Sequence, residues 1–225
     1  MLSVIQMLVA VEMLALPAWV GAAVVRPPLR AVWPDGLAAR MARALAAVVA
    51  AAVVLMALAA FADPYGSGLN KDEPLIGPVL RTQGLALGFV VLLAGVGVGL
   101  SRLAGERAAQ VLTALLGWLI LGAMILVGPL AEMLKGDAQA ALVRAVVHSS
   151  PLLVAERELG LDWLHQGLTY RLTPLAESFG YLLGDLAWWK TTLADLFVGS
   201  GLLVFSIGRA ERKTRNPERG TRNKR

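Results

Sequence analysis

Five long apolar stretches, nearly free of charge, set the terms on which this chain can fold. Residues 44–62, 82–101 and 108–131 contain no charged side chain, residues 2–25 contain only Glu12, and residues 191–208 contain only Asp195. About 20 apolar residues of helix are needed to cross the hydrocarbon core of a bilayer. Inside that core a helix satisfies its own backbone polar groups, which an irregular segment cannot. The sequence therefore predicts an all-α, polytopic membrane protein with five transmembrane helices at these positions. Hydrophobic residues make up 57% of the 225 and the mean hydropathy is +0.64, values that disfavour a soluble domain.

The spans leave no segment long enough for a separate soluble domain, so residues 1–208 are read as one membrane domain and 209–225 as a basic, disordered cytoplasmic tail. Cysteine is absent, which removes disulfides, thiolate metal sites and thiol catalysis from consideration. The net charge of +5 follows position rather than a nucleic-acid-binding pattern. Segments 26–43, 102–107 and 209–225 hold 14 of the 21 basic residues, and they alternate along the chain with less basic segments. Positive charge is retained on the cytoplasmic side. The amino terminus is thus expected outside and the carboxyl terminus inside, in a bacterial inner membrane. No basic residue precedes Arg26, so the first span is read as an uncleaved anchor rather than a signal peptide. The tail should lie against anionic lipid, each base contributing about 1 kcal/mol.

Asp63-Pro64-Tyr65-Gly66 ends the second span, and the connection to Arg81 reads as irregular. In the outer segment 132–190, Ser150-Pro151 is a helix start, with Ser150 as the cap, and Gly160 a helix end. The short helices expected here should lie along the outer membrane surface, as amphipathic helices do. Trp188-Trp189-Lys190 forms an interface anchor ahead of the last span.

An acid inside a span is costly and generally faces protein or a water-filled path. Glu12 is read either as a proton- or cation-handling group or as a polar lock to a neighbouring helix. Pro17 in the same span should kink it and free backbone carbonyls. Asp195 is expected to pair with Lys190 or Arg81, and a cavity shared with Glu12 would favour transport. Gly84, Gly88, Gly95 and Gly99, with Gly199 and Gly201 in the last span, are small residues that allow close helix approach, within the chain or onto a partner. His148 and His165 match no metal-site spacing, so no metal, cofactor or catalytic residue is expected.

Residues 132–225 place short outer helices before a final span and a basic tail. In that architecture the segment resembles the end of ATP-binding-cassette exporter permeases, although these usually have six spans and an inside amino terminus. The resemblance implies a membrane-embedded, permease-like subunit of a transport complex, paired with itself or with other membrane subunits and with a cytoplasmic energising partner. The other reading is a non-transporting accessory or assembly subunit of a larger membrane complex.

Overall fold

The computed structural model describes residues 2–25, 36–62, 74–160 and 187–215. Among the described residues there are helices and no strands. The helices are α1 (Leu2–Val24), α2 (Leu37–Ala62), α3 (Ile76–Ala104), α4 (Glu106–Leu121), α5 (Ala123–Met133), α6 (Asp137–Ser149), α7 (Pro151–Glu158) and α8 (Trp188–Arg215). Three of these, α1, α2 and α3, are long and apolar enough to cross a membrane, and α6 with α7 makes a fourth if that bent pair is one span.

α3 is the axis of the bundle. It packs against α1, α2, α4, α7 and α8, and Leu85, Ala86, Phe89, Val90, Leu93 and Ala94 are all fully buried. Its direction relative to its neighbours follows from paired contacts. Glu12 meets α3 at Gln83 and Val25 meets it at Gly97, so α1 and α3 run in parallel. Trp188 lies at Gly84, Thr192 at Gly88 and Gly199 at Gly95, so α8 is parallel to α3 as well. α4 runs the other way, with Pro17 at Gly117 and Gly21 at Gln110.

The helix boundaries refine the sequence reading at several points. α3 begins at Ile76, so the last residues before Arg81 are helical rather than irregular. α3 and α4 are joined through Gly105 alone, whose φ of 78° is a conformation that glycine adopts without a Cβ penalty. The charge-free stretch 108–131 is interrupted: α4 stops at Leu121, and α5 starts after Gly122. α8 continues to Arg215, beyond the point where the tail was expected to become irregular.

Pro17 lies inside α1, which runs uninterrupted from Leu2 to Val24. Proline lacks the N–H that would bond a carbonyl one turn earlier, and its ring crowds that turn. That carbonyl is Met13 O; the Trp118 indole of α4 donates to the next one along, Leu14 O, at 2.9 Å. Trp118→Phe should remove this interhelical bond while keeping a smaller aromatic ring at the contact. The expected cost is about 0.6 kcal/mol, a typical value for such bonds between membrane helices, and unfolding in mixed detergent micelles measures it.

Candidate functional site

Four helices, α1, α3, α4 and α8, surround one arm, α7, of a bent pair. α6 and α7 meet at 73° around Ser150. The expected start at Pro151 and end near Gly160 are seen, and Gly160 has a φ of 65°. The location differs from the sequence expectation. Residues 151–156 of α7 are buried throughout, against α1, α3 and α8, so this helix does not lie along a surface. The remainder of the outer segment, 161–186, lies outside the described residues.

The bend and the far end of α7 are fastened through contacts with four helices. A helix terminus leaves backbone groups without an intrahelical partner, and here side chains supply several. The break at Gly122 redirects Ile125 N–H to Gly122 O, leaving Leu121 O, towards which the Ser150 hydroxyl donates at 3.4 Å. Ser150 therefore serves α4 and does not cap α7, as the sequence suggested it would. Thr191 of α8 donates to His148 O at 2.8 Å, near the end of α6. Gln6 of α1 donates to Leu159 O at 2.9 Å, just beyond α7. Arg81 of α3 forms an ion pair with Glu158 at 3.0 Å.

Next to this clamp lies the intramembrane acid. The Gln83 amide of α3 donates to Glu12 Oε2 at 2.9 Å. Gln83 is 2% exposed, and its Oε1 is buried without a hydrogen-bond partner, as is Glu12 Oε1. Two unsatisfied oxygens thus sit on adjoining side chains, an unusual pattern because buried polar groups are nearly always bonded.

Asp195 forms a second polar site and does not join the first. It lies one turn beyond Thr191 on α8, 7% exposed, and its Oδ2 is buried with no hydrogen-bond partner. The anticipated pairing with Arg81 or Lys190 is not formed. Arg81 binds Glu158 instead, and Lys190 Nζ sits 5.7 Å from the centroid of the Trp189 ring. The contacts of Thr192 and Gly199 put Asp195 level with the middle of α3. That is some eight residues, or about 12 Å, from the level of Gln83. No shared cavity with Glu12 follows from these contacts.

The glycines divide by position. Gly84, Gly88, Gly95 and Gly99 turn towards α8, where they meet Trp188, Thr192, Gly199 and Ser206 respectively. Gly199 faces back onto Val91 and Leu92, whereas nothing lies within 4 Å of a Cβ placed on Gly201. The close-approach surface is therefore used within the chain. Among the described residues, no three His, Asp or Glu side chains gather into a group able to hold a metal; His165 lies outside them.

Reasoning from sequence passed over Gln6, Gln83 and Thr191. The two glutamines carried a usable signal, since an amide within an apolar span needs a partner on another helix. Thr191 carried none.

Over the described residues these features define a helical protein with three apolar helices of membrane-crossing length, packed around one short buried helix, α7, and a carboxyl–amide contact between α1 and α3. Comparison with known proteins adds no closer identity: no family, curated protein or solved structure matches the chain.

Proposed function

We propose that the chain is a membrane-embedded, permease-like subunit of a multi-protein transport complex. The observation that carries this reading is Glu12, an acid within an apolar span whose Oε1 is buried and unpaired. It stands beside α7, the buried arm of a bent helix pair. Acids within spans and interrupted helices packed in protein are features of ion and substrate paths through membranes. In this reading five spans cross a bacterial inner membrane, with the amino terminus outside and the basic carboxyl terminus inside. The parallel course of α1, α3 and α8 with α4 opposed supports that alternation. The complex includes further membrane subunits or a second copy, and a cytoplasmic energising subunit.

Mild-detergent purification from native membranes, with mass spectrometry of retained partners, tests the class of complex. Retention of an energising subunit is expected. A set composed of redox or assembly subunits alone would replace this reading with the accessory role. Glu12→Gln should lower cation or proton flux through proteoliposomes containing the complex by about tenfold or more, a change of about 1.4 kcal/mol in a barrier. Undiminished flux removes Glu12 from the path. Because the chain lacks cysteine, Thr221→Cys provides a single reporter of orientation. It should resist impermeant maleimide in intact cells and react once the membrane is opened.

A further inference from the structure

We propose that Glu12 and Gln83 form a proton-binding pair, in which the Gln83 amide serves as hydrogen-bond partner to both protonation states of the Glu12 carboxyl. This rests on the transport reading and names the proton as the species handled at that site.

The chemistry follows from the atoms present. A carboxylate accepts hydrogen bonds only, whereas a carboxylic acid also donates one. A glutamine side chain carries both complements, an N–H₂ and a carbonyl oxygen, on one rotatable group. With Glu12 ionised, the Gln83 N–H donates to Oε2, the contact observed at 2.9 Å. When solvent delivers a proton to the carboxylate, the new O–H requires an acceptor, and Gln83 Oε1 is a buried oxygen that has none. A half-turn of the amide brings that oxygen to the carboxyl. Release reverses the sequence: the proton returns to solvent and the amide N–H returns to the carboxylate. No other bond is made or broken.

The surroundings suit reversible protonation better than a fixed ion pair. Gln83 is held 2% exposed on the central helix, so the amide has little room except to turn in place. Among the described residues Glu12 forms no ion pair, although charged groups stand on the neighbouring elements. Arg81, two residues along α3, is bound to Glu158 of α7. Glu156 and Arg157 belong to α7, just beyond whose end Leu159 meets α1 at Gln6. Arg40 and Arg43 lie in the first two turns of α2. Glu106 and Arg107 precede Gln110, which meets α1 at Gly21. That contact is nine residues past Glu12, about 13 Å along the helix.

The test is carbodiimide labelling of the full-length protein in liposomes, with adducts located by peptide mass spectrometry. Dicyclohexylcarbodiimide partitions into apolar sites and reacts with protonated carboxyls. The Glu12-containing peptide of the wild type should be labelled at low pH and lose its label along one titration curve as pH rises. Sodium chloride should leave that curve unchanged. Glu12→Gln should abolish the adduct on this peptide. Gln83→Met keeps the volume but removes both the donor and the acceptor. The bond to the ionised form is the stronger of the two, so labelling should persist to higher pH by about one unit. A curve unmoved by Gln83→Met in protein that still elutes as wild type would overturn the pairing. Protection by sodium would overturn proton selectivity and mark a metal-cation site. Absence of label at every pH would overturn proton binding itself. None of these readouts depends on flux, so a protein that binds the proton but carries nothing is recognised separately.

Discussion

Gly95→Val and Gly199→Val should each prevent α8 from docking on α3, with a cost of at least about 3 kcal/mol. A Cβ on Gly95 would come to 3.1 Å from the Gly199 Cα, and one on Gly199 would lie 2.5 Å from Val91 O and 2.6 Å from Leu92 N. These neighbours are backbone atoms, so no rotamer change relieves the overlap, and the helices must move apart. In lipid, water exclusion does not drive helices together, and close packing with interhelical hydrogen bonds takes its place. Separation therefore removes the attraction along the whole contact, including the seats of Trp188 and Thr192. The measurement is the unfolding midpoint in mixed micelles, together with monodispersity in mild detergent. Gly201→Val is the internal control: it lies on the same helix with nothing within 4 Å of the new Cβ. It should behave as wild type. Equal behaviour of Gly199→Val and Gly201→Val would refute this packing.

The second large effect should come from the ion pair that ties α7 to α3. Arg81 and Glu158 meet at 3.0 Å, with side chains 28% and 15% exposed. Removing one partner of a fully buried pair costs about 3–5 kcal/mol, mainly because the other charge is stranded. The residual exposure here lowers that to about 1–3 kcal/mol. Glu158→Arg should be the more damaging change, since it sets two cations at contact distance. The exchanged double variant, Arg81→Glu with Glu158→Arg, should recover at least half of the loss. Mixed-micelle unfolding of the four proteins gives the coupling directly. Additive single effects would show that the pair contributes nothing as a pair.

How much of this could be read in advance depended on the range of the interaction. The first three apolar spans were plain because lipid imposes a length and a lack of charge that any helix must meet on its own. α1 matches closely, α2 begins seven residues before the expected stretch, at Leu37, and α3 extends it at both ends. The break at Gly122 was not plain, because hydropathy is the same on either side of it. The position of α7 was misjudged for a related reason. Pro151 and Gly160 signal where a helix starts and stops, but burial on all sides depends on Gln6, Arg81 and Thr191, residues far away in sequence. At the polar site Glu12 stood out as a lone acid in an apolar run. Its partner Gln83 did not, since an uncharged amide hardly disturbs the hydropathy of a span. Asp195 was equally visible, and its assigned partners were wrong because Arg81 had a nearer carboxylate in Glu158.

The clamp around α7 also has a bearing on biogenesis. Its grips come from α1, α3, α4 and α8, and α8 is the last of these to leave the ribosome. Until that final segment is delivered, the short helix lacks one wall of its socket, and the His148 carbonyl lacks the Thr191 hydroxyl. Seating of the wedge is thus a closing step, postponed to the end of translation. A chain cut short ahead of Trp188 would carry an open slot along its central helix, a mark by which quality-control proteases can single out incomplete molecules.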